Sequence, residues 1–137
     1  MNRWLFKSEP DVFSWDDLVA RGPAGEPWDG VRNYQARNHM RAMKLGDRGF
    51  FYHSNATRDI VGVVEVVAEA AQDPSTGDPR WQCVTLRAVA PLPQPFTLAR
   101  AKVTPELAGM VLVTNARLSV QPVSAAEWDF IAKAGGL

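Results

Sequence analysis

Residues 60–68 read Ile-Val-Gly-Val-Val-Glu-Val-Val-Ala, a run dominated by valine. β-Branched side chains favour extended backbone, and a run this apolar predicts a central, buried strand. Further strands are expected at 4–7, 49–53, 81–90 and 117–121. Segment 73–79 holds two Asp-Pro pairs and a glycine, which predicts a loop. Pro91, Pro93 and Pro95 are expected to break regular structure.

Capping signals place the helices. The sequence contains two capping boxes, Ser14 with Asp17 and Ser124 with Glu127. In a capping box, each of the two side chains accepts a hydrogen bond from the backbone N–H of the other residue. Asn33 is a suitable cap for a helix over 34–44. Short helices are also expected at 97–102 and 105–110. Because helices and strands mix without a repeating strand–helix–strand order, the sequence predicts one α+β domain over 1–137 with a mostly antiparallel, barrel-like sheet.

The composition excludes several classes of protein. The 137 residues carry fifteen basic and fifteen acidic side chains. A protein that grips long stretches of phosphate backbone, which needs many cationic contacts, is therefore not expected. A single cysteine excludes an internal disulfide, and with only two histidines a structural zinc site is not expected. The sequence has no Gly-rich phosphate loop of either common type, and no cofactor is expected. The first ten residues contain only one short apolar run, at 4–6, which predicts no signal peptide and a cytoplasmic location.

The most chemically varied segment is Trp28-Asp29-Gly30-Val31-Arg32-Asn33-Tyr34. An aromatic ring there can stack on a nucleobase, an amide can donate and accept along a base edge, and an arginine can meet a phosphate. The same pattern fits a loop in which Trp28 fills the core and Asn33 only caps the helix. Pattern alone favours this second interpretation, because buried tryptophans and asparagine caps are common.

Polar residues also follow two apolar strands. Lys7-Ser8-Glu9 ends the first strand, and His53-Ser54-Asn55 ends the strand over 49–53. Strand ends are where a rigid scaffold presents polar groups to a ligand, although ordinary polar turns have the same composition. Nearby, residues 31–48 hold five basic side chains and one acid. Three of these cations lie on one face of the predicted helix: Arg37, Arg41 and Lys44. This face suits either a few phosphate contacts or a solvated surface.

These segments resemble the EVE-domain family, which is related to the PUA and YTH domains. The matching stretches, in the family's order and spacing, are W-L-F-K-S-E-P at 4–10, W-D-G-V-R-N-Y-Q-A-R-N at 28–38, G-D-x-x-F-F-Y-H-S-N at 46–55 and R-L-S-V-Q-P-V at 117–123. The resemblance covers nearly the whole chain. It implies a PUA-like pseudo-barrel of mostly antiparallel strands decorated by helices. It also implies a pocket at one end for a flipped-out, modified base, of the 5-methylcytosine type in DNA.

Carried over position by position, the resemblance implies a binding pocket without catalytic residues. The pocket would draw on twelve residues: Lys7, Ser8, Trp28, Val31, Arg32, Asn33, Tyr34, His53, Ser54, Asn55, Arg117 and Leu118. Trp28 is assigned to stacking and Asn33 to reading the base edge, while the basic helix face supplies phosphate contacts. Family members often carry a longer insertion before the strand near residue 81, so contacts made from that insertion are not expected in this chain, and the effect of the short 73–79 loop on the pocket is left open.

Three other functions remain open. An RNA-binding accessory to tRNA or rRNA modification would need the same pocket and a single-stranded or looped target. A small hydrolase would use His53 beside Ser54, but the sequence shows no third, orienting residue. A protein-interaction domain would leave the pocket empty. A nuclease or modification enzyme is a candidate partner that the sequence does not identify.

Overall fold

A single six-stranded sheet organises the protein, and the computed structural model describes all 137 residues. The strands are β1 (Arg3–Ser8), β2 (Glu26–Pro27), β3 (Arg48–His53), β4 (Asp59–Gln72), β5 (Gln82–Thr97) and β6 (Val120–Val123). The helices are α1 (Trp15–Ala20), α2 (Tyr34–Ala42), α3 (Leu98–Lys102), α4 (Val111–Thr114) and α5 (Ala125–Ala134), with short 3-10 turns at Gly22–Ala24 and Pro105–Leu107. None of the helices has the length and apolar character needed to span a membrane.

The sheet order is β2-β5-β4-β3-β1-β6, and only β1 and β3 pair in parallel. The predicted α+β class and mostly antiparallel sheet are therefore confirmed. β4 contains the valine run and lies between β3 and β5. Its side chains enter two cores on opposite faces, with Val64 and Val66 in the first core and Ile60 and Val63 in the second. Burial on both faces is the reason that the valine run of this strand is largely apolar.

Helices cover each face of the sheet. Buried side chains of α1 and α2 join the first core, and those of α3, α4 and α5 join the second. Both predicted capping boxes form, and the Asn33 side chain accepts a hydrogen bond from the Ala36 N–H at 2.9 Å. α2 ends at Ala42, slightly earlier than predicted, because Met43 adopts extended backbone.

The sheet curls around the first core. Trp28 directly follows the edge strand β2, yet its ring packs edge-to-face against Phe6 of β1 and Phe51 of β3, with ring centroids 5.7 Å away in each case. Since β5, β4 and β3 lie between β2 and β1, this contact requires strong curvature. α2 contacts both β5 and β6 and fills the remaining gap. The result is the PUA-like pseudo-barrel that the resemblance implied.

The prediction that Pro91, Pro93 and Pro95 break regular structure is wrong, because β5 continues to Thr97. β2 pairs with β5 only near Leu86, so the later part of β5 has β4 as its single neighbour. The register between β4 and β5 shifts at this point, since Gly62 pairs with Pro91 but Ile60 pairs with Phe96, so the residues between Pro91 and Phe96 have no regular partner on β4. Proline is tolerated at such an interruption, because its missing N–H removes no ladder hydrogen bond there.

Two further predictions placed elements incorrectly. The helix expected at 105–110 is a 3-10 turn over Pro105–Leu107, and α4 follows it as a separate helix. The strand expected from 117 begins at Val120. The buried amide of Gln121 donates to the Leu118 carbonyl at 2.8 Å, which holds the preceding residues in a turn.

Candidate functional site

The main cavity lies between the end of β1 and the segment that follows β2, and its volume is about 620 Å³. Its walls are formed by Lys7, Ser8, Glu9, Val12, Phe13, Arg21, Glu26, Pro27, Trp28, Asp29, Gly30, Val31, Arg32 and Ser119. Five of the twelve residues assigned to the pocket are among them: Lys7, Ser8, Trp28, Val31 and Arg32. A cavity of this size is in the range of small-molecule sites and accommodates a nucleobase.

Trp28 forms the back of the main cavity and is mostly a core residue. It is 8% exposed, and its ring meets Phe6, Phe13 and Phe51 edge-to-face. Its backbone N–H donates to the Val84 carbonyl at 2.8 Å. The core interpretation of Trp28 therefore describes most of the side chain, and only a small exposed part lines the cavity.

The wall that contains Gly30 and Arg32 is anchored by Asp73, which is 1% exposed. One carboxylate oxygen of Asp73 accepts from the Gly30 N–H at 2.9 Å and from the Arg32 guanidinium at 3.1 Å. The other oxygen accepts from the Ser75 N–H and hydroxyl. Burial raises the pKa of Asp73, but the hydrogen bonds from Ser75, Gly30 and Arg32 outweigh it and hold the pKa below its ordinary value. The short 73–79 loop therefore positions this wall of the main cavity.

The opposite wall is built at the end of β1. The Lys7 ammonium donates to the Ala116 carbonyl at 2.7 Å and lies 5.8 Å from the centroid of the Tyr52 ring. Burial lowers the pKa of Lys7. The Ser8 hydroxyl donates to the Phe13 carbonyl, and the Ser8 carbonyl accepts from the Ser54 N–H at 2.9 Å. These bonds fix Lys7 and Ser8 in place and join the ends of β1 and β3.

Charges of both signs line the main cavity. Arg21 pairs with Glu26 at 3.3 Å, whereas Glu9 and Asp29 form no ion pair. Burial raises the pKa of Asp29, and the negative charges of Asp73 and Glu26 raise it further. The cavity thus presents carboxylate acceptors beside an aromatic wall.

Four other residues assigned to the pocket lie elsewhere. Asn33 caps α2 and is not in the cavity wall. Tyr34 is 50% exposed and stacks on Trp81, with ring centroids 5.0 Å apart. Leu118 is buried in the first core, and the exposed Arg117 does not line the main cavity.

The residues that end β3 also lie outside the main cavity. The ring nitrogen Nε2 of His53 accepts a hydrogen bond from the Trp15 N–H at 3.0 Å. Burial lowers the pKa of His53, so this acceptor role is consistent with a neutral ring. Ser54 and Asn55 line a second, smaller cavity.

The basic face of α2 is partly engaged within the protein. The Arg37 guanidinium donates to the Arg80 carbonyl at 2.9 Å and lies 4.8 Å from the centroid of the Tyr34 ring. Arg41 donates to the side-chain oxygen of Gln82 at 2.7 Å. The ammonium of Lys44 has no hydrogen-bonding partner and is exposed.

Sequence reasoning missed several residues that shape the main cavity. Asp29 and Glu9 lay inside segments that were singled out but were not assigned to the pocket, and Phe13 lies four residues beyond Glu9, so proximity to those motifs was their only signal. Asp73 gave no local signal of its role. Its partners Gly30 and Arg32 are more than forty residues away in sequence.

Comparison with known proteins places this arrangement in a family. The family model for the EVE domain matches residues 2–134. Thymocyte nuclear protein 1 from mouse is 40% identical over 95% of this chain and 72% of its own length. A crystal structure of a protein from Agrobacterium tumefaciens is 54% identical, has a TM-score of 0.99, and is matched over 100% of this chain and 94% of that one.

Two further solved structures carry nucleic acid. Human thymocyte nuclear protein 1, solved in complex with 5-methylcytosine-containing DNA, is 37% identical with a TM-score of 0.91, over 100% of this chain and 99% of that one. The YTH domain of Zygosaccharomyces rouxii MRB1, solved with N6-methyladenosine RNA, is 18% identical with a TM-score of 0.57, over 98% of this chain and 86% of that one, and shares the fold alone. On the family match and the identity to thymocyte nuclear protein 1, this chain belongs to the EVE domain family.

Proposed function

We propose that this protein binds nucleic acid, DNA in preference to RNA, and holds one flipped-out, modified base of the 5-methylcytosine type in the main cavity without catalysing a reaction on it. The observation that carries the proposal is the aromatic-backed cavity of about 620 Å³ at the Trp28–Arg32 segment. This cavity lies in a chain that matches human thymocyte nuclear protein 1, solved with 5-methylcytosine-containing DNA, along its full length.

The energetics of base flipping fit a cavity with an aromatic back wall. A base must leave the duplex stack, at a cost of a few kcal/mol, before a protein can reach its edge. Contact with an aromatic side chain returns ~1–3 kcal/mol per base. Phe13 and the exposed part of Trp28 provide aromatic surface, and Val31 provides aliphatic surface for a methyl group. One buried methyl contributes ~0.8 kcal/mol, so we expect about fourfold preference over the unmethylated base.

The unpaired carboxylates of the cavity favour a base with an exocyclic amino group. Carboxylates accept hydrogen bonds from the 4-amino group of cytosine. Thymine and uracil carry a carbonyl oxygen at that position, which would face the charge of Asp29 or Glu9 unfavourably. The cavity chemistry therefore supports an amino-bearing base such as cytosine over thymine or uracil.

The local geometry also supports a binding role rather than hydrolysis. His53 uses its Nε2 atom as an acceptor for the Trp15 N–H, and it forms no hydrogen bond with Ser54. A nucleophile needs a base within hydrogen-bonding reach. The pair expected of a hydrolase is therefore not assembled.

The test is a fluorescence-anisotropy titration against DNA and RNA oligonucleotides that differ at one position, which carries cytosine, 5-methylcytosine or thymine. Trp28→Phe trims the cavity wall while keeping an aromatic core residue. Trp128→Phe is a matched control, because Trp128 is 9% exposed and stacks on Phe50 in the second core, across the sheet. Thermal melts confirm that both variants fold.

We expect the wild-type protein to prefer 5-methylcytosine DNA, and Trp28→Phe to weaken that binding by roughly threefold to tenfold. Trp128→Phe should leave affinity unchanged. Equal affinity for all three bases, or equal effects of the two variants, would contradict the proposal. Tighter binding of the RNA series would instead support the role in RNA modification.

A further inference from the structure

A second cavity, of about 310 Å³, lies beside the ends of β3 and α3. Three of the nine residues that line it are basic, namely Lys7, Arg58 and Lys102, and none is acidic. Arg58 and Lys102 form no ion pair. In a protein with a net charge of zero, three cations around one concave surface produce a local positive potential that attracts anions.

Acidic groups near this cavity leave the positive charge largely uncompensated. Asp59 is close enough for its charge to act on Tyr52 and on His53. Its carboxylate accepts a hydrogen bond from the Thr57 hydroxyl at 2.6 Å and does not line the cavity. Asp16, whose charge also acts on His53, does not line the cavity either, so the three cations have no acidic partner among the lining residues.

The backbone of the loop between β3 and β4 is unusual at the cavity rim. Asn55 and Arg58 adopt left-handed conformations, with φ of 70° and 49°. Asparagine tolerates this conformation, but for arginine it is uncommon and unfavourable. The Arg58 carbonyl accepts from the Leu98 N–H at 2.8 Å, which ties the loop to α3. Strained conformations of this kind cluster at binding sites, where the rest of the fold maintains them.

We infer that the second cavity binds a phosphate group, with Arg58, Lys102 and Lys7 as cationic contacts and Asn55 as a polar contact. Lys7 lines both cavities, so a phosphate held here is adjacent to a base held in the main cavity. Resting on the proposed function, we assign the phosphate to the backbone of the strand whose base is bound. Free phosphate esters share this chemistry, and the experiment separates the two sources.

The first arm of the test needs no nucleic acid. Amide resonances of residues 54–58 are followed by NMR while inorganic phosphate is added, with chloride at equal ionic strength as the reference. We expect saturable shifts in the wild-type protein and their loss in the double variant Arg58→Gly, Lys102→Gln. Glycine suits the left-handed backbone at position 58, so this change removes the charge without adding strain. Arg100→Gln is the matched control, because Arg100 lies on α3 but packs over Phe96 and does not line the cavity.

The second arm measures the salt dependence of affinity for a 5-methylcytosine oligonucleotide. The slope of log affinity against log salt is negative, and each lost phosphate contact reduces its magnitude by about one. We therefore expect the double variant to reduce the magnitude by up to about two and Arg100→Gln to leave it unchanged. Phosphate shifts with an unchanged slope would overturn the assignment to the strand and support a free phosphate ester. Shifts in a protein that binds no oligonucleotide would support the phosphate site while the base-binding function fails. No phosphate-dependent shift together with an unchanged slope would overturn the inference.

Discussion

Asp73→Ala tests how the wall of the main cavity is held. The substitution removes the acceptor for the Gly30 N–H, the Ser75 N–H and hydroxyl, and the Arg32 guanidinium. Hydrogen bonds to a charged group contribute ~1.5–3 kcal/mol each, but bonds that share one carboxylate are not additive. The Arg32 side chain is 41% exposed, so solvent screens its share. We therefore expect the free energy of unfolding to fall by about 3 kcal/mol.

The effect of Asp73 depends on pH in a defined direction. Burial raises the pKa of this carboxyl, but the hydrogen bonds from Ser75, Gly30 and Arg32 outweigh it and lower the pKa overall. The unfolded chain, with an ordinary value of about 3.9, then takes up the proton first as pH falls. The stabilisation is complete above that pH and is lost as pH falls through the folded-state value. The stability difference between wild type and Asp73→Ala should therefore narrow only below pH about 4.

The assay is urea denaturation followed by tryptophan fluorescence, near neutral pH and at pH about 3. Asp78→Ala is the control, because Asp78 lies in the same loop but pairs with the exposed Arg80. The variant should also bind a modified oligonucleotide more weakly, since Gly30 and Arg32 lose their anchor. A neutral-pH loss no larger than that of Asp78→Ala would refute the anchoring role.

Three other predictions concern the core, a histidine and the basic helix. Gly62→Ala should lower the free energy of unfolding by ~1–3 kcal/mol, because a Cβ would lie 2.5 Å from the Trp15 ring, whereas Gly77→Ala, with nothing within 4 Å, should not. Burial lowers the pKa of His53, so the free energy of unfolding measured by urea denaturation should fall as pH drops through about 6.5. His53→Gln should reduce that fall, and a variant with the pH profile of the wild type would contradict the assignment to His53. Lys44→Gln should reduce the magnitude of the slope of log DNA affinity against log salt by about one, and it should weaken binding of methylated and unmethylated DNA equally. An effect on only one of the two bases would exclude a phosphate contact.

Local patterns predicted the framework of the fold well. The valine run marked the central strand β4, and the capping boxes marked α1 and α5, because these signals act within a few residues. The prolines of β5 were misjudged because their tolerance depends on where the pairing with β4 is interrupted, and pairing is a property of the whole sheet. The start of β6 was misplaced because the buried Gln121 amide donates to the Leu118 carbonyl, a contact made only in the folded chain.

The candidate site was predicted only in part. β1 and β3 do bring the two polar strand ends together, with Ser8 opposite His53. The main cavity opens beside Ser8, however, while Ser54 and Asn55 face the second cavity. Asn33 was assigned both to the cap of α2 and to a base edge; the structure shows the cap, and Asn33 does not line the main cavity. Which side of a strand end meets a cavity is set by tertiary packing, and motif spacing does not contain that information.

The proposed function requires that one modified base occupies the main cavity. A crystal structure of this protein with a short DNA duplex carrying a single 5-methylcytosine would show whether it does. We expect the methylated base to lie outside the stack, against Trp28 and Phe13, with its amino group within hydrogen-bonding distance of Asp29 or Glu9. A bound duplex whose methylated base remains stacked, with no base in the main cavity, would contradict the proposed function.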